Sequence, residues 1–110
     1  MAFKMTQKPT FSTVVTVNVA NDKGGFDKST LVAQYKRLST TALQVLREES
    51  LTNEALVRRT LTGWELKDAD TQEDVPFTED NLAAALEIAP TPYALAQAFW
   101  ECASGARAKN

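Results

Sequence analysis

A chain of 110 residues with 44% hydrophobic and 24% charged side chains has the size and composition of one folded domain with a single modest core. It contains no histidine and one cysteine, Cys102, which excludes imidazole catalysis, Ser-His and Cys-His nucleophile pairs, His-containing zinc sites and any intramolecular disulfide. The formal net charge of −2 argues against nucleic acid as the main ligand, since phosphate contacts need a dense basic face, and no apolar run approaches the ~20 residues of a membrane span.

In chain order, Met1–Thr10 holds Lys4 and Lys8 with no apolar stretch behind them. That is not a secretory signal pattern, and with the lone thiol it sets the expectation of a reducing, cytoplasmic compartment. Residues 1–10 are read as a flexible segment, 11–105 as one domain and 106–110 as a flexible tail. Val15, Val17 and Val19 alternate with Thr16 and Asn18, which predicts a half-buried strand near 12–20. Ala20-Asn-Asp-Lys-Gly-Gly25 is a cluster of turn formers. A second strand follows near 28–37, with Leu31, Ala33 and Tyr35 on one face and Val32, Gln34 and Lys36 on the other. Strand, glycine turn and strand read as a β-hairpin, which is barely stable alone and must pack on something.

Helices supply that surface. Ser39-Thr-Thr-Ala offers N-caps, and Leu38, Ala42, Val45, Leu46 and Glu49 fall at helical spacing over ~39–49. Thr52 or Asn53 caps a second helix with Val57, Leu61 and Trp64 at i, i+4, i+7; Thr60 and Thr62 leave its end open to an extended reading. An acidic connection over 65–77 ends in Val75-Pro76-Phe77, and Thr78 caps a third helix in which Phe77 staples onto Leu82 and Leu82, Ala85, Leu86 and Ala89 form the apolar face. Pro90 stops it. Thr91 followed by Pro92 at the first helical position starts a fourth, with Leu95, Phe99 and Cys102 on one side and Gly105 at its end. The fold class is therefore α+β, an N-terminal antiparallel β-hairpin packed on about four α-helices. Its expected core is Leu46, Val57, Leu61, Leu82, Leu86, Leu95 and Phe99.

Little of the sequence carries reaction chemistry. Asp68, Asp70, Glu73 and Asp74 lack the spacing, glycine and closing glutamate of a calcium loop and read as a solvated turn. Glu48 and Glu49 are adjacent on a helix and diverge by about 100°, unlike a glycosidase pair. Lys23-Gly24-Gly25 sits in a hairpin rather than before a helix, so the turn reading outweighs a phosphate loop. Cys102 falls on an apolar helix face, which favours a buried, inert thiol. No catalytic, cofactor or metal residues are assigned. Residues 1–63 carry nine basic and five acidic side chains, net +4, whereas 64–101 carry nine acidic and one basic, net −8. The split suits head-to-tail self-association or a basic partner, against the plainer reading of an acidic loop and ordinary helix faces. Trp64, Phe77, Tyr93 and Trp100 are the candidate partner-binding residues, with core packing as the competing role for each. Composition and spacing end at a small α+β binding domain.

The order of segments carries more. Tyr35-Lys36-Arg37-Leu38 ends the hairpin; Gly63-Trp64 opens an acidic stretch; Pro76-Phe77-Thr78 precedes a leucine helix; Ala106-Arg107-Ala108-Lys109-Asn110 closes the chain. In this order, over residues ~11–110, the sequence resembles the tail assembly chaperones of long-tailed bacteriophages and prophages. It departs from that pattern at Thr71-Gln72-Glu73-Asp74, where an Asp-Gly turn is common. The resemblance implies a non-enzymatic protein without cofactors that works in the host cytoplasm and is absent from the mature virion. Its implied partners are the tape measure protein and the tail tube protein; the expectation of a homo-oligomer comes instead from the charge split and the open hairpin edge. The resemblance also implies a possible longer form made by frameshifting. The alternatives are a structural minor tail or head–tail connector component, or a small bacterial protein-interaction domain.

Overall fold

The computed structural model describes residues 2–105. Its elements are β1 (Thr10–Ala20), β2 (Phe26–Lys36), α1 (Thr40–Glu48), α2 (Asn53–Thr60), β3 (Leu61–Glu65), α3 (Glu79–Leu86) and α4 (Pro90–Ala103). The α+β class and the N-terminal hairpin stand as expected, and a third antiparallel strand completes a sheet of order β1-β2-β3.

The hairpin is in register over its whole length, from Thr10 opposite Lys36 to Ala20 opposite Phe26. Its turn is built by Asn21, whose Oδ1 accepts the amides of Lys23 and Gly25, both at 3.0 Å, while Gly24 takes a φ of 83°. Glycine enters that left-handed region without a Cβ clash. The Asn21 N–H donates to Gly25 O at one end of the hairpin, and the Arg37 N–H to Pro9 O at the other. These two bonds fix the phase. Odd-numbered residues of β1 and β2 bond to one another, so the even-numbered residues of β2 turn their N–H and C=O groups toward β3.

Alternation then sorts the side chains. Val15, Val17, Leu31, Ala33 and Tyr35 are buried on the inner face, while Ser12, Thr16, Asn18, Thr30 and Gln34 are exposed on the outer one. β3 resolves the open end of the second helix in favour of extended chain. Thr60, fully buried, bonds back to Leu56 O at 2.9 Å, and Leu61 then leaves the helix with a ψ of 128°. β3 pairs only with Val32–Tyr35 of β2, with an irregularity between Gln34 and Tyr35 where Thr62 donates to Gln34 O.

The helical layer is organised by α4, which packs against β1, α2 and α3. Leu95, Ala96, Ala98 and Phe99 are buried around it, so α4 is apolar over most of its circumference, as a central helix must be. Phe11, Tyr35 and Phe99 stack where α4 meets the sheet, with centroids 5.5–6.1 Å apart, and Tyr35 donates to Leu95 O at 2.7 Å. All seven residues expected in the core are buried.

Several local expectations are corrected. α4 begins at Pro90 rather than at a Thr91 cap: Ala89 is its helical N-cap without a side-chain bond, and Thr91 is buried. Pro90 and Pro92 both fall among the first residues of the helix, whose N–H groups have no intrahelical acceptor, so neither proline loses a bond. Val45 points outward, 51% exposed, because α1 buries Leu46 and half-buries Leu43 instead. Ala89 is exposed, and Cys102 is half-buried rather than enclosed. The expected tail 106–110 lies outside the described residues. The caps at Ser39, Thr52 and Thr78 form as the sequence suggests, and Gly105 follows α4 with a φ of 82°.

Candidate functional site

The four candidate residues stand at three separate places. Trp64 and Phe77 belong together. Their rings meet edge to face at 5.0 Å, and the Trp64 Nε1–H donates to Val75 O at 2.8 Å. Both are half-buried against the core. The acidic connection between them folds back on itself: Val75 N–H donates to Leu66 O, Asp68 N–H to Glu73 O, and Lys67 pairs with Asp74 at 2.9 Å. The Asp68 carboxylate accepts the amides of Asp70 and Thr71, so it holds the loop. Among the described residues no three of Cys, Asp and Glu form a metal-holding group.

Tyr93 lies on the side of α4 toward β1 and is 61% exposed. With Thr16, Asn18 and Gln97 it borders a shallow cleft of about 370 Å³.

Trp100 is set in a groove between helices. A cleft of about 600 Å³ opens between the α1–α2 corner and the C-terminal half of α4, and Leu46, Leu51, Leu56, Trp100, Arg47 and Ser104 line it. The indole rests against Phe99 at 5.2 Å on one side, and the Arg47 guanidinium lies 4.8 Å from its centroid on the other, a cation–π contact. The opposite wall is braced. Ser50 turns the chain with a φ of 52°, and Arg59 clasps Glu49 through two hydrogen bonds of 2.8 and 3.3 Å. The hydrogen bond from Arg59 holds the Glu49 carboxyl below its ordinary pKa, and the same bond raises Arg59. Arg58 bonds both Glu79 and Glu54, which ties α2 to α3 and raises its own pKa, chiefly through Glu79.

Sequence reasoning found Trp100 but missed Arg47, Leu51 and Leu56 as its neighbours. Leu56 and Leu46 carry a core signal, and their position at the floor of a cleft depends on the angle between α1 and α2. Arg47 has no local signal at all, since its ring partner is on another helix. No helix among the described residues is long and apolar enough to cross a membrane. No family model, no curated protein and no solved structure matches the chain.

Proposed function

We propose that the chain is a tail assembly chaperone of a long-tailed phage or prophage, a non-enzymatic protein that binds the tape measure protein and helps recruit tail tube subunits. It acts in the host cytoplasm and is left out of the mature virion. The observation that carries this reading is the cleft at Trp100: an apolar floor of Leu46, Leu51 and Leu56 with an aromatic wall and one cation, Arg47, at its rim. Such a groove suits an amphipathic helix laid in by its apolar stripe. A long helical client with stripes not yet paired presents many of them, and a small protein in many copies masks them. The ordered segments from Tyr35-Lys36-Arg37-Leu38 to Pro76-Phe77-Thr78 support the family, and the absence of histidine from the sequence supports a non-enzymatic role.

Co-expression with the cognate tape measure protein tests it. The two should co-purify, the client should gain solubility, and the chain should be missing from purified virions. Ser104→Arg, an exposed change at the cleft, should abolish the effect with the fold intact. A tape measure protein whose solubility is unchanged by the wild-type chain contradicts the reading. Stoichiometric presence in finished tails would make the protein a structural tail component instead.

A further inference from the structure

The third lane of the sheet is only half filled. β3 ends at Glu65, opposite Val32, and the chain then turns away into the folded-back 66–75 loop. Among the described residues no strand follows β2 on that side from Phe26 to Leu31. The phase of the hairpin makes Lys28 and Thr30 the residues that aim N–H and C=O groups into the vacant lane. Beneath the lane lies a groove of about 330 Å³, with Val17 and Leu31 as its floor, Leu66 on one wall and Ala85 and Ile88 on the other. Ile88 is 48% exposed there. An open strand edge beside an apolar trough is the arrangement that accepts an added strand: the edge supplies main-chain hydrogen bonds, and the trough takes alternate side chains.

We propose that this half-vacant lane is a β-augmentation site for an extended segment of another protein, continuing the line of β3. The segment's chemistry follows from the pleat. Its residue opposite Ser29 points to the inner face, into the trough, and is apolar; the slot opposite Leu31 is closed by Leu66, which follows Glu65 directly. Those opposite Lys28 and Thr30 point outward and are polar. Lys28 and Lys67 are the charged residues that line the groove, and Lys67 is already held by Asp74. The residue opposite Lys28 is therefore acidic, by charge complementarity. A second copy of this chain fits less well through its exposed Phe3 and Met5, because Lys4 and Lys8 accompany them and would face Lys28. The site is distinct from the Trp100 cleft, which suits a helix, and it stands whether or not the chaperone reading holds.

The test uses the whole chain and a synthetic probe, a short capped peptide alternating valine with threonine and carrying one glutamate placed to meet Lys28. Titration followed by amide NMR should shift and protect Lys28 and Thr30. N-methylation of the peptide residue opposite Thr30 should weaken binding about tenfold or more by removing one edge hydrogen bond, whereas N-methylation one residue along should not. The protein is unchanged in that pair, so folding cannot confuse it. Ile88→Lys should also weaken the peptide, and Lys28→Glu should reverse the preference between glutamate and lysine probes. Equal binding of both N-methylated peptides, shifts confined to the Trp100 cleft, or no binding at millimolar peptide would each overturn the proposal. Concentration-dependent broadening of Lys28 and Thr30 without peptide would do the same, by showing that a second copy occupies the lane.

Discussion

The two tryptophans are both half-buried and differ in what their neighbours do with them. Trp64 has its ring packed edge-on by Phe77 and its one donor bonded to a backbone carbonyl eleven residues away, so both its apolar body and its polar handle are used within the chain. Trp100 has one ring neighbour in Phe99, an arginine over its face and a cleft beside it. In sequence they are alike: each sits in an apolar pattern, and each is a candidate for core or for binding. The difference lies in what surrounds them. Trp64 closes a loop and borders a cleft of about 780 Å³ lined by strands and loop; Trp100 borders one of about 600 Å³ lined by helices, the shape proposed above to take a helix.

That contrast can be broken at several levels. The largest effect should come from the residue behind Trp100. Phe99 is fully buried and touches Phe11, Tyr35 and Trp100, so Phe99→Ala should cost about 3–5 kcal/mol, read by denaturant unfolding. Trp64→Phe keeps the ring and removes the indole donor, leaving Val75 O without its partner. It should cost about 1–3 kcal/mol and make the 66–75 loop more open to limited proteolysis, with tape measure binding retained by the folded fraction. Arg47→Ala should do the reverse. Loss of an exposed cation–π contact is worth about 0.5–1 kcal/mol, a small change in melting temperature, but it should impair partner binding. The smallest effect is electrostatic. Arg59 lowers the Glu49 pKa in the folded chain, so the pair contributes stability above the ordinary carboxylate range. That contribution disappears as pH falls through the lowered folded value. Melting curves of wild type and Glu49→Gln should differ near neutrality and converge in acid; curves that stay parallel would show that the clasp adds nothing.

The frame was legible where one local rule decided the outcome. Alternation at Val15, Val17 and Val19 placed a strand, the Gly24-Gly25 pair placed its turn, and Thr78 after Pro76-Phe77 placed a cap that forms as read. β3 was not predicted as a strand because Leu61-Thr-Gly-Trp-Glu65 is short, holds a glycine and continues the spacing of the helix before it; pairing to β2 decides its conformation. The start of α4 was misplaced because proline satisfies the rules for stopping one helix and for opening the next. For the candidate site, Trp100 could be seen but its setting could not. Arg47 of α1 meets Trp100 of α4 at the corner where α2 packs on α4, and no spacing along the chain encodes that meeting.

The central claim is that the Trp100 cleft receives a helix of the tape measure protein. Amide hydrogen exchange of the chain, alone and bound to that client, measures this directly. The account predicts new protection in the segments that form the cleft, residues 46–56 and 100–104, with the Trp64–Phe77 region unchanged. Protection confined to residues 64–77, or none in a complex that demonstrably forms, would contradict it.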